Sequence, residues 1–203
     1  MIIDFSSITA LNRYHLLTQT VMPRPIAWVL SENEDASLNL APFSFFNAMC
    51  SEPPLLVMSI GKKSGGEVKD TRRNLLSGRP FVVHIASVEH VEALNGTAAV
   101  LDYGDSEVTA SSLPLSEFPG CTVPRLSECH IAYHCKLYDV HEIGPNKQAM
   151  IYAEVLQLYL NDTVVEHENN RYIIDPKKIN PLSRLGGVQY SAQGKIFSLT
   201  RPK

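Results

Sequence analysis

The 203-residue chain contains 44% hydrophobic and 19% charged side chains, with 11 glycines and 13 prolines, a composition that excludes disordered, collagen-like and coiled-coil proteins. Its formal net charge of -3 argues against a protein that binds nucleic acid through phosphate contacts. No apolar run approaches the roughly 18 residues that span a bilayer and no secretory signal is visible, so we expect residues 1–203 to form one cytoplasmic domain without a membrane segment.

The first predicted element is a helix over residues 9–19, which Pro23 and Pro25 end by opening an extended segment. Short apolar runs bounded by turn residues then predict strands. They cover residues 26–31, 40–46, 55–60, 81–86, 131–140 and 150–160. Residues 171–174 and 195–199 are two further predicted strands that could close the sheet.

Two predicted helices interrupt these strands. Asp70 or Thr71 can cap a helix that ends near Gly78, and Ser87 can cap one that ends near Gly96. Short strands dominate, and strands and helices do not alternate regularly. The expected fold is therefore mainly β, an antiparallel barrel with a few short helices.

Three common catalytic or nucleotide-binding motifs are absent from the sequence. No G-x-G-x-x-G follows a predicted strand, residues 61–66 (GKKSGG) lack the residue order of a P-loop, and no G-x-S-x-G occurs. A Rossmann site, a P-loop and the common serine-hydrolase elbow are therefore not expected.

The four cysteines form no C-x-x-C pair, and we expect them to be reduced thiols. They are Cys50, Cys121, Cys129 and Cys135. On a helix, His130 and His134 would share a face and could ligate zinc. Their segment alternates as a strand does, however, and residues four apart on a strand lie about 13 Å apart. We therefore predict core cysteines and no metal site.

Residues 69–78 suggest an anion-binding helix terminus. If Asp70 or Thr71 caps this helix, Arg72 and Arg73 lie in its first turn, where the helix dipole disfavours cations. An anion bound by backbone N–H groups and the Thr71 hydroxyl would explain them, and phosphate is the obvious candidate. The alternative is that both arginines point into solvent.

Residues 39–47 (NLAPFSFFN) depart from the alternation of a plain core strand. Pro42 removes a backbone donor and therefore belongs at a sheet edge, where neighbouring backbone groups stay free for a ligand. Ser44 and Asn47 place polar groups among aromatic side chains. Such a segment could hold a flat, mostly apolar heterocycle with polar edges. An ordinary aromatic-rich edge strand is the alternative.

These motifs together resemble the flavin reductase-like, FMN-binding split-barrel family. The resemblance rests on five segments in order along the chain. They are residues 23–29 (PRPIAWV), 39–47 (NLAPFSFFN), 53–54 (PP), 69–74 (KDTRRN) and 184–190 (RLGGVQY). It implies an antiparallel, Greek-key-like split β-barrel that works as a homodimer with FMN near the subunit interface.

The resemblance also implies positions for the flavin-binding residues. Those lining the isoalloxazine ring would be Leu30, Ser31, Ala41, Pro42, Phe43 and Ser44, with Asn47 close by. Those at the phosphate end would be Lys69, Asp70, Thr71 and Asn74. Arg184, with Tyr190 as a further candidate, would complete the pocket. Two positions depart from the family's pattern: His84 replaces a common Asn, expected on the nicotinamide or adenine side, and His134 replaces a common Glu, expected to affect packing.

The function that the resemblance implies is an oxidoreductase in which flavin accepts hydride from NADH or NADPH. The reduced flavin would pass to a partner monooxygenase or another electron acceptor, and no side chain is predicted to be catalytic. FAD is the alternative to FMN. Because no nicotinamide-binding motif is recognisable, a non-catalytic flavin carrier, store or sensor remains the alternative function. A barrel that binds haem is a third, weaker interpretation.

Overall fold

The computed structural model describes residues 1–99 and 101–202. Within these residues seven of the fourteen strands form one antiparallel sheet with the order β3-β2-β6-β9-β10-β5-β4. Its strands, in chain order, are β2 (Ala27–Glu32), β3 (Leu38–Phe43), β4 (Phe46–Ser51), β5 (Pro54–Ile60), β6 (Phe81–Ile85), β9 (Ile131–Ile143) and β10 (Gln148–Leu160). This arrangement confirms the mainly β, antiparallel prediction.

Smaller sheets and short helices surround this sheet. The remaining strands are β1 (Arg24–Pro25), β7 (Leu115–Ser116), β8 (Arg125–Leu126), β11 (Val165–Glu168), β12 (Arg171–Ile174), β13 (Ser183–Arg184) and β14 (Tyr190–Ser191). The helices are α1 (Ala10–Thr20), α2 (Asp70–Leu76), α3 (Val91–Gly96), α4 (Glu107–Ala110) and α5 (Pro176–Ile179), with 3-10 turns at Phe5–Ser7 and Val88–His90.

The two edges of the large sheet, β3 and β4, are consecutive in the chain. The sheet curls until β3 contacts β5, and the Ser59 N–H donates to the Phe45 carbonyl at 2.8 Å. The predicted strand over residues 40–46 is therefore wrong in its extent, because the chain leaves one edge at Ser44 and joins the other at Phe46. The barrel is open along this line.

Both faces of β2 are buried. Trp28 and Leu30 pack into an outer core with Val82 and Leu126, whereas Val29 packs into the barrel interior with Met58 and other apolar residues. Burial on both faces explains why this strand reads as an unbroken apolar run. The same two layers bury the central part of β6.

The predicted helices exist, with their ends slightly displaced. Thr9 caps α1 by accepting from the Asn12 N–H. Ser87 occupies the N-cap position of the turn that leads into α3, where its N–H donates to His90 Nδ1, and α3 ends at Gly96 as predicted. In α1 only Thr18 is buried, so most of this helix faces outward.

The C-terminal predictions are partly wrong. Residues 195–199 form no strand, because the chain beyond β14 makes no ladder in the described residues. Residues 171–174 are a strand, but β12 pairs only with β11 in a separate hairpin and does not close the barrel. Apolar composition alone does not identify a strand without a partner edge.

Candidate functional site

A cavity of about 110 Å³ lies between the free edge of β3 and the start of α2. Six of the residues implied by the family resemblance line it together. They are Ala41, Pro42, Phe43, Lys69, Asp70 and Thr71. The segment that leads from α3 towards α4 covers the opposite side, where Thr97, Leu101 and Glu107 contribute.

The apolar wall of the cavity is the outer edge of β3. The Leu40 N–H donates to Glu107 Oε2 at 2.9 Å and therefore points away from β2. Because orientation alternates along a strand, Pro42 also faces outward, at a position where the missing N–H costs no ladder bond. The edge position predicted for Pro42 is thus confirmed.

The polar end of the cavity carries two lysines with different partners. Lys63 Nζ donates to Asp70 Oδ2 at 2.9 Å. Lys69 forms no salt bridge with any residue that the structure describes, and its Nζ lies 5.5 Å from the centre of the Phe43 ring. Burial, reinforced by the nearby Lys63 charge, lowers the pKa of Lys69. The cavity therefore holds a half-buried lysine that forms no ion pair with the described residues.

A buried hydrogen-bond network supports this end of the cavity. Asn39 Nδ2 donates to Thr71 Oγ1 at 2.9 Å and lies 3.3 Å from Ser31 Oγ. Asn74 Nδ2 donates to Ser31 Oγ and to Asn33 Oδ1. Ser31 and Asn74 thus lie behind the cavity rather than in its lining. They tie α2 to β2 and β3.

The two arginines of α2 do not face the cavity, contrary to the sequence interpretation. The helix begins at Asp70 after Lys69, which occupies the capping position without a side-chain cap, so the predicted cap was wrong. Arg72 is buried and binds Glu142 and the Lys147 carbonyl. Arg73 stacks over Tyr103 at 4.3 Å. Arg72 therefore neither belongs to an anion site at the helix terminus nor points into solvent, which were the two interpretations of the sequence.

Glu107 is a cavity residue that the sequence did not reveal. Its side chain is 7% exposed, and burial raises its pKa, although the hydrogen bond from Leu40 opposes this. It lies in the irregular middle of the chain, about thirty residues beyond α2, where no local pattern marks it. Only the tertiary fold brings α4 against β3.

The remaining residues implied by the resemblance lie elsewhere. Leu30 is completely buried in the outer core. Ser44 and Asn47 line a second, larger groove of about 420 Å³ between α1 and β4. Arg184 stacks on Tyr190 at 4.4 Å and lines neither the cavity nor the groove. The structure therefore brings together the β3 and α2 parts of the set but separates these four positions from it.

His84 is fully buried beneath the cavity wall. The Leu126 N–H donates to its Nε2 at 3.0 Å, so Nδ1 carries the proton and donates to the Trp28 carbonyl at 3.1 Å. Burial lowers the pKa of His84 to about 4. The Trp28 indole in turn donates to Thr97 Oγ1 at 2.8 Å, and Thr97 lines the cavity. His84 therefore does not line the cavity, and hydrogen bonds through Trp28 link it to Thr97 in the cavity lining.

The second departure, His134, is buried against neighbouring side chains. It lies on β9, 6% exposed, with Nδ1 3.0 Å from Gln157 Oε1 and its ring against Phe118. His130 directly precedes β9 and is not on a helix. Among residues 1–99 and 101–202, no group of three or more His, Cys, Asp or Glu side chains could hold a metal ion. All four cysteines are free.

No helix in the described part of the chain is long and apolar enough to cross a membrane.

Comparison with known proteins places this geometry in a family. Residues 19–174 match the model of the flavin reductase like domain. Nitrilotriacetate monooxygenase component B from Bacillus cereus is 33% identical, with a TM-score of 0.90 over 98% of each chain. The 2-nitrobenzoate 2-nitroreductase NbaA of Pseudomonas fluorescens is 30% identical, with a TM-score of 0.88 over 100% of this chain and 96% of that one.

A third structure shows the fold at lower identity. A protein of Shewanella frigidimarina described as a flavin reductase with a split barrel domain is 18% identical, with a TM-score of 0.85 over 100% of both chains. The predicted split barrel is thus confirmed. The chain belongs to the flavin reductase like domain family.

Proposed function

We propose that this protein is an FMN-binding oxidoreductase that oxidises NADH or NADPH and passes reduced flavin, or its electrons, to a partner. The observation that carries the proposal is the cavity between β3 and α2, where Lys69, without a salt bridge to any described residue, lies beside an apolar wall. The family and the 33% identity to a monooxygenase component B support a partner oxygenase. The free cysteines favour the cytoplasm as its location.

The phosphate of the flavin would bind at Lys69 and Thr71. Burial disfavours the charged form of Lys69, and a bound phosphate dianion would stabilise that form. The Thr71 hydroxyl accepts from Asn39, which leaves its hydrogen free to donate to a phosphate oxygen. Asp70 Oδ1 is buried without a hydrogen-bond partner and could accept from a ribityl hydroxyl. The choice of FMN over FAD rests on the family, because both flavins carry a phosphate that this donor set could bind.

The ring would lie along β3 at Ala41, Pro42 and Phe43. The outward-facing carbonyls of Leu40 and Pro42 could accept from its N–H edge. When bound, flavin supplies hydride acceptance from the nicotinamide and onward electron transfer. The residues of this chain bind and orient the ring, and we assign no catalytic side chain. Ser31 and Asn74 would fix the wall from behind.

A homodimer is part of the proposal. The cavity, at about 110 Å³, is smaller than the roughly 300 Å³ at which ligand sites begin, so a second copy would have to complete it. Leu11, Tyr14 and Met49 are each more than half exposed on α1 and β4. Exposed apolar side chains on neighbouring elements are typical of an interface. A second copy seated there would border the groove and the flavin segment.

Turnover with matched lysine variants tests this function. We expect the wild-type protein to oxidise NADH or NADPH when FMN is added. Lys69→Met should raise the FMN concentration needed about tenfold or more, as loss of a charge-assisted hydrogen bond does. Lys62→Met, which removes an exposed lysine outside the cavity lining, should leave it unchanged. Bound FMN that neither nicotinamide reduces would contradict the proposal and favour the carrier alternative.

A further inference from the structure

Two arginines face each other outside the flavin cavity. Arg24 on β1 and Arg184 on β13 are paired in register, and Arg24 is only 6% exposed. Like charges directly opposite each other on neighbouring strands destabilise a sheet. Their juxtaposition therefore requires a compensating interaction.

Their protein partners supply carbonyl groups but no charge. Arg24 donates to the carbonyls of Thr18, Val21 and Leu185, and its Nε remains buried without a partner. Arg184 donates to the Gly187 carbonyl, and its Nη1 is likewise buried and unpartnered. Within residues 1–99 and 101–202, neither guanidinium has a carboxylate within 4.0 Å.

The positive charges of Arg24 and Arg184 are therefore poorly compensated. Burial lowers the pKa of Arg24, the nearby Tyr14 opposes this, and the Arg184 charge lowers it further. Because a buried charge is screened less than an exposed one, the positive potential extends into adjoining space. An anion placed there would stabilise both guanidinium groups.

The adjoining space is the groove between α1 and β4. Arg24 lines it, and the Arg24 guanidinium lies 6.0 Å from the centre of the Phe45 ring. Its other walls are mostly apolar side chains, with Leu17 on α1, Val21 directly after α1 and Phe46 on β4. The volume of about 420 Å³ falls in the range of small-molecule sites. Apolar walls beside an uncompensated cation match a planar aromatic anion.

We infer that this groove binds an aromatic carboxylate, with the carboxylate towards Arg24, whose positive potential the neighbouring Arg184 reinforces from behind, and the ring against Phe45. This inference rests on the proposed function and names a substrate class for it. The groove and the cavity are joined by the segment from Pro42 to Asn47, so the carboxylate would lie beside the flavin.

Equilibrium binding of benzoate and its uncharged analogue benzamide tests the inference. Both are measured on the apoprotein and on the FMN-loaded protein at the same ionic strength. We expect benzoate to bind about tenfold more tightly than benzamide, as a charge-assisted hydrogen bond predicts. Equal affinities, or no benzoate binding at millimolar concentration, would overturn the inference and leave Arg24 as a clamp for backbone carbonyls.

Three variants separate the contribution of the arginine charge from those of the aromatic wall of the groove and of the flavin site. Arg184→Gln should lower the benzoate-to-benzamide ratio, because it removes one of the two charges whose potential reaches the groove, whereas Arg171→Gln, at an exposed position on β12, should not. Phe45→Ala should weaken both ligands alike. Lys69→Met should weaken FMN without changing the ratio on the apoprotein, so failure of the flavin site and failure of the groove are distinguishable. An Arg184→Gln protein that keeps the wild-type ratio contradicts the inference.

Discussion

Protonation of His84 should destabilise the fold below neutral pH. Burial lowers the pKa of His84 from 6.5 to about 4. Between these two values the unfolded chain binds a proton that the native protein does not, so the free energy of unfolding falls as the pH falls. A difference of about 2.5 pKa units corresponds to about 3 kcal/mol, all of it lost once the pH reaches about 4.

His84→Asn isolates this contribution. At pH 7.5 the variant should be less stable by about 1–3 kcal/mol, because Asn cannot span both the Trp28 carbonyl and the Leu126 N–H. As the pH falls towards 4, the wild type should lose about 3 kcal/mol that the variant keeps, so the difference should vanish or reverse. Urea unfolding followed by Trp28 fluorescence measures this, since the chain has one Trp.

The control is His167→Asn, at an exposed position on β11, which should keep the wild-type pH dependence. Parallel stability curves for wild type and His84→Asn between pH 7.5 and 4 would refute the reasoning. That result would mean that the native protein accommodates a charged His84.

Three further predictions concern packing around the site, each measured by urea unfolding. Asn39→Leu should cost about 1–3 kcal/mol and weaken FMN binding, since Thr71 loses its donor; unchanged FMN affinity would contradict the proposed phosphate site. Arg72→Met should lower the free energy of unfolding by about 1–3 kcal/mol and Arg73→Met by less than about 0.5 kcal/mol, because only Arg72 ties α2 to Glu142. Equal losses in the two variants would contradict this role of Arg72. Gly186→Ala should cost about 1–3 kcal/mol, since its Cβ would overlap Gln19, whereas Gly194→Ala meets nothing.

The central strands could be predicted because their information is local. Apolar runs bounded by turn residues mark β2, β5, β6, β9 and β10, and each is buried by the partners that the pattern requires. The family motifs could also be read locally, since residues 39–43 and 69–71 are short segments with unusual residue types. Their meeting at one cavity followed from the resemblance, and the structure brings them together.

The sequence predictions fail where tertiary contacts determine whether a strand forms or where a side chain lies. Residues 195–199 are as apolar as a strand but have no edge to pair with. The sequence interpretation of Arg72 considered only the dipole of its own helix. In the structure Glu142, seventy residues away, determines the position of the Arg72 side chain. Glu107 joins the cavity because α4 packs on β3, a contact that no local spacing encodes. The strand break at Ser44 reflects the passage of the chain from one edge of the curled sheet, β3, to the other, β4, rather than a local turn preference.

The anaerobic visible spectrum of the FMN-loaded protein, recorded as NADH and then NADPH is added, tests the central claim most directly. The account predicts a bound-flavin spectrum in the wild type that bleaches in proportion to the nicotinamide added. In Lys69→Met, at an FMN concentration that saturates wild type, the bound fraction should be lower, while Lys62→Met should match wild type. A flavin spectrum that neither nicotinamide bleaches, or equal FMN binding by both lysine variants, would contradict the account.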